Sequence, residues 1–147
     1  MRAGILASQP IPFSPSNPDL KRKAARRAFS SGPYTLLLVE DVIPMGGDRF
    51  FRYKYVIAVF DRRGNFPVSY VTLENSSVTQ NMLCFFDRYG AHCNYGSLDE
   101  PNVKQKFLRQ GFALLKEHLG LNDIQEIAVP AQRRWWSRSY RGTFPVA

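Results

Sequence analysis

Cys84, His92 and Cys93 form the densest group of chemically reactive side chains in the sequence. Two thiols and an imidazole are zinc ligands by type, but a tetrahedral site needs four convergent donors. A hairpin with Asp87 opposite Ala91 points Cys84 and His92 to one sheet face and Cys93 to the other. On that register the three do not converge on a metal. The two thiols do not form a disulfide either, because their Cβ vectors diverge. No metal and no cofactor are expected, and the cysteines read as small buried side chains.

His92, next to the turn, is the weak catalytic candidate. Exposed there, it could serve as acid or base of a small metal-independent ribonuclease, with Arg88 or Lys54 stabilising phosphate charge. His118 falls inside the apolar arc of a helix and reads as a core histidine held by a carbonyl or the helix end. Asp61 and Asp87 resemble a carboxylate pair, but each takes the first position of a turn, where Asp accepts backbone N–H bonds. The chain contains no Gly-x-x-x-x-Gly-Lys, Gly-x-Gly-x-x-Gly, Gly-x-Ser-x-Gly or His-Glu-x-x-His. A non-catalytic protein is expected.

Binding chemistry is concentrated toward the two ends. The net charge is +8, from 20 Lys+Arg and 12 Asp+Glu. Residues 1–33 carry six bases and one acid, and residues 130–147 carry four bases and no acid. The middle, 34–129, holds ten bases against eleven acids, a net of −1. The N-terminal stretch contains Lys21, Arg22, Lys23, Arg26 and Arg27 behind an Asn-Pro helix start. The C-terminal stretch interleaves Arg133, Arg134 and Arg138 with Trp135 and Trp136. Guanidinium groups beside large rings suit phosphate contact and base stacking. The same pairing suits a protein hot spot or an anionic surface.

The segment that must position these groups reads as one α+β domain over 34–129, flanked by a basic Pro/Ser-rich extension (1–33) and a basic aromatic tail (130–147). Tyr34–Ile43 is an unbroken β-favouring run, and Phe50–Phe60 and Phe66–Glu74 form a hairpin about Asp61-Arg62-Arg63-Gly64. A turn with Asp61 opposite Asn65 pairs Val56 with Tyr70 and Arg52 with Glu74. It gathers Tyr53, Tyr55, Ile57, Val59, Val71 and Leu73 on a core face. The other face is apolar near the turn and expected to be partly wet. Phe85-Phe86-Asp87-Arg88-Tyr89-Gly90 repeats Val59-Phe60-Asp61-Arg62-Arg63-Gly64 and predicts a second hairpin, Asn81–Asp87 with Ala91–Tyr95.

Apolar residues Val103, Phe107, Leu108, Phe112, Leu114, Leu115 and Leu119 share one half of a helical wheel, so a helix is predicted over about 100–119, stopped at Gly120. Gly111 sits near the centre of that arc, where a missing side chain permits close approach to a sheet. A short final strand follows at Ile124–Val129. The expected fold is an antiparallel meander of about five strands with this one helix on one face.

At 147 residues and 44% hydrophobic, the chain is long enough for one domain with its own core. No apolar run reaches a membrane span, and the proline-rich start lacks a secretory h-region. A cytoplasmic location with reduced thiols is expected, and the Asn75-Ser76-Ser77 glycosylation pattern carries no weight there. The function expected is that of a small binding or accessory protein, docked on RNA or DNA through its basic extensions. A protein–protein module using the even face of the long hairpin and the aromatic tail is the alternative, and a ribonuclease a third.

Overall fold

The β-branched and aromatic runs of the middle of the chain pair into one antiparallel sheet in the computed structural model, which describes residues 24–43, 50–62, 67–89 and 91–129. Its strands are β1 (Arg27–Ser31), β2 (Tyr34–Val42), β3 (Arg52–Phe60), β4 (Ser69–Asn75), β5 (Met82–Phe86), β6 (His92–Ser97) and β7 (Gln125–Ile127). One helix, α1 (Val103–Leu119), lies between β6 and β7 in the chain. The spatial order is β6-β5-β4-β3-β2-β1-β7, so six strands form a meander and the last closes onto β1 from the far edge. No helix among the described residues is long and apolar enough to cross a membrane.

The α+β class is as expected, but the sheet has seven described strands rather than about five. The final strand joins the same sheet, and β1 comes from residues assigned to the N-terminal extension. Gly32, at φ 56°, and Pro33 make the two-residue turn that pairs Ser31 with Tyr34. The Gly-Pro turn signal was present, but the preceding run of bases disguised the short Arg27–Ser31 strand.

Pro67 explains a second difference. Val56 lies opposite Thr72 and Ala58 opposite Tyr70, a slip of two residues from the expected pairing. Proline has no N–H to give the ladder, and the carbonyl of Val59 instead accepts from Val68 N at 2.7 Å. A two-residue slip preserves side-chain facing. Tyr55, Ile57, Val59, Val71 and Leu73 therefore pack under the helix as expected. Tyr53 does not: an irregularity between Tyr53 and Tyr55 transfers it to the opposite face. That face is not wet. Leu37, Val39, Val56, Ala58 and Phe60 are fully buried on it, and Arg52 leaves Glu74 to pair with Asp41 at 2.8 Å.

The helix buries Val103, Phe107, Leu108, Gly111, Leu114 and Leu115 against β3, β4 and β5. Gly120 ends it in the left-handed conformation, φ 68°, with its N–H on the Lys116 carbonyl at 3.0 Å. A Cβ at Gly111 would stand 3.2 Å from Ile57 Cδ1 and 3.3 Å from Val71 Cγ1, so the helix approaches the sheet closely here. Gly111→Leu is expected to lower unfolding free energy by about 1–3 kcal/mol through overpacking, read as a lower urea midpoint. An unchanged midpoint would mean the helix can lift off β3 and β4 freely.

The β5–β6 hairpin has the expected register, with Phe86 opposite His92 and Phe85 opposite Cys93. Asp87 Oδ1 accepts from Tyr89 N and Ala91 N, at 2.8 and 2.9 Å, as a turn-forming aspartate should. His118 is not a core histidine. It is exposed in the last helical turn, stacked on Phe85 at 4.4 Å between centroids, with Nε2 3.0 Å from the Tyr95 hydroxyl.

Candidate functional site

Residues of one strand that share a face alternate in sequence, and those on neighbouring strands must be in register to meet. On the face away from the helix, β4 contributes Tyr70, Thr72 and Glu74. Thr72 lies directly opposite Cys84 of β5, and Phe86 lies opposite both Tyr70 and His92. Three strands thus bring Thr72, Glu74, Cys84 and His92 into one buried polar cluster within an apolar face.

Glu74 is its centre. The Thr72 hydroxyl donates to Glu74 Oε2 at 2.9 Å, and His92 Nε2 lies 2.8 Å from the same oxygen. Two polar side chains thus converge on one carboxylate oxygen. The Cys84 sulfur lies within 4.8 Å of the Glu74 carboxylate. Burial pushes the Cys84 thiol well above its ordinary range, and the adjacent carboxylate pushes it further. Tyr53 is raised by burial first and by Glu74 second, and Tyr70 by burial. Cys84 is therefore held as a thiol and is a poor nucleophile.

His92 is 1% exposed, packed on Phe86 at 4.5 Å, and its Nδ1 has no hydrogen-bond partner among the described residues. This corrects its catalytic candidacy, since an acid or base must reach the proton it transfers. Of the proposed phosphate-stabilising companions, Lys54 is engaged with Glu100 at 3.3 Å.

Glu74 and Thr72 went unrecognised in the sequence because Glu74 was given to Arg52. The available signal was the period-two series Tyr70, Thr72, Glu74, which has the same facing as Cys84 and His92 once β4 and β5 are aligned.

Among the basic residues singled out, Arg26 is exposed, with its backbone N–H on the Leu38 carbonyl. Arg27 lies within β1 and grips Glu126 of β7 through Nε and Nη2, both at 2.8 Å. Lys21, Arg22, Lys23, Arg133, Arg134, Trp135, Trp136 and Arg138 lie outside the described residues. Compared with protein-family models, curated proteins and solved structures, the chain shows no match to any of the three.

Proposed function

We propose that this chain is a small non-catalytic accessory protein that docks on RNA or DNA through basic segments flanking a charge-balanced body. The observation that carries this is the segregation of charge: residues 130–147 hold four arginines and no acid, while residues 34–129 are one charge short of neutral. Ion pairs within the sheet and helix support the same division. Arg52 pairs with Asp41, Lys54 with Glu100, Lys104 with Glu40 and Arg27 with Glu126. Cations already bridged to carboxylates release few counterions on a phosphate backbone, and the uncompensated flanks release more. Lys21, Arg22, Lys23, Arg26, Arg133, Arg134 and Arg138 are assigned to phosphate, and Trp135 and Trp136 to base stacking. The Arg27 side chain serves the β1–β7 edge instead. A docking role for the even face of the long hairpin finds no support, because that face is buried.

Fluorescence anisotropy of labelled single-stranded RNA and duplex DNA, titrated with the full chain across a salt series, tests the proposal. Affinity should fall steeply with salt, each phosphate contact adding about 0.7–0.9 to the log–log slope. Replacing Arg133, Arg134 and Arg138 together by Ala should reduce that slope by about 2–3 on the same relation. No binding of either nucleic acid at about 50 mM salt, where such contacts are strong, would overturn it.

A further inference from the structure

We propose that Glu74, Cys84 and His92 form a buried site for one divalent transition-metal ion of zinc-like preference. A carboxylate oxygen, a thiol sulfur and an imidazole nitrogen from three adjacent strands all lie within 4.8 Å of one another. Zinc holds such donors at about 2.0–2.3 Å, so ligands around one ion stand up to roughly 4 Å apart and only a small contraction is needed. The mixture of sulfur, nitrogen and oxygen disfavours calcium and magnesium, which take oxygen donors.

Burial points the same way: Glu74, Cys84 and His92 are all cut off from water, so each depends on a protein or ion partner. His92 Nδ1 has no hydrogen-bond partner among the described residues. On binding a dication, Cys84 releases its thiol proton to solvent, and two anionic ligands with one neutral imidazole balance the ion's two charges. The Thr72 hydroxyl, 2.9 Å from Glu74 Oε2, is the adjacent oxygen for a further position or for orienting the carboxylate. The expectation of no metal counted Cys84, His92 and Cys93. Cys93 is indeed on the other face, and Glu74, which lies far away in sequence, takes its place.

The test uses the full chain, purified without chelator and analysed for bound metal, then unfolded, stripped and refolded with cobalt(II) as an optical stand-in for zinc. The expected result is one equivalent of metal, with a thiolate-to-cobalt charge-transfer band and the intense visible bands of a four-coordinate ion. Cys84→Ser should abolish the charge-transfer band and weaken zinc binding by at least about 100-fold, more than loss of an outer contact does. Cys93→Ser should leave both unchanged. Thermal melts with zinc or chelator supply a second readout: the native chain and Cys93→Ser gain stability with zinc, and Cys84→Ser does not. Substoichiometric metal, a cobalt spectrum without the thiolate band, or a band lost with Cys93 and kept without Cys84 would each overturn the proposal.

Discussion

Glu74→Leu is expected to destabilise the fold by about 2–4 kcal/mol, the cost of stranding two buried hydrogen-bonding groups. The cause is what the substitution leaves behind. His92 Nε2 and the Thr72 hydroxyl both converge on the Glu74 carboxylate. Without it two buried polar groups lose their partner on a face with almost no solvent access. Each unsatisfied donor costs about 1–3 kcal/mol, with relaxation reducing the sum. Glu74→Gln retains an acceptor oxygen and the side-chain volume, so a smaller loss of about 1–2 kcal/mol is expected. Glu74→Leu/His92→Leu removes the most demanding donor with the acceptor and should recover part of the loss. Urea unfolding in the presence of chelator measures all three without any contribution from bound metal. A Glu74→Leu midpoint equal to the native one would show that water reaches these donors and that the cluster is not enclosed.

Local chemistry was legible, and pairing between distant segments was less so. The helix could be placed from its period, Gly111 and Gly120 because each acts within a few residues or through a single absent side chain. The β5–β6 register was legible because Asp87 sets it over five residues, by bonds to Tyr89 N and Ala91 N. The β3–β4 register failed because the turn appeared to start at Asp61, while Pro67 prevents the ladder from closing there. β1 and β7 pair across nearly the whole domain, and no residue in Arg27–Ser31 announces that its partner is Gln125–Ile127. The polar cluster suffered most from this. Cys84 and His92 were assigned to one face from a single hairpin, but Glu74 enters only through the β4–β5 alignment. The expected β3–β4 ladder gives it to Arg52, whereas its partner is Tyr53. His118 was misplaced for a simpler reason. A wheel shows which way a side chain points but not whether the helix still lies over the sheet, and by the last turn it has reached the β5–β6 edge.

Phe107→Ala should lower stability by about 3–5 kcal/mol, as large-to-small changes at a buried aromatic do. Phe107 is fully buried and stacks on Tyr55 at 5.6 Å between centroids, at the centre of the helix–sheet contact. For a domain of this size each kcal/mol moves the melting midpoint by about 4–8 °C, so a thermal scan should separate this variant clearly from Val78→Ala. Val78 is 87% exposed and its loss should fall within about 0.5 kcal/mol of native. Phe107→Leu keeps an apolar group of similar reach and should cost under about 1.5 kcal/mol. Phe107 packs between the helix and one face of the sheet, while Glu74 sits with Thr72 on the other face. Free energies of independent sites add to within about 0.5 kcal/mol, so Glu74→Gln/Phe107→Leu should lose the sum of its two single losses. A larger departure from that sum would mean that β4, the strand beneath both, transmits a change in one layer to the other.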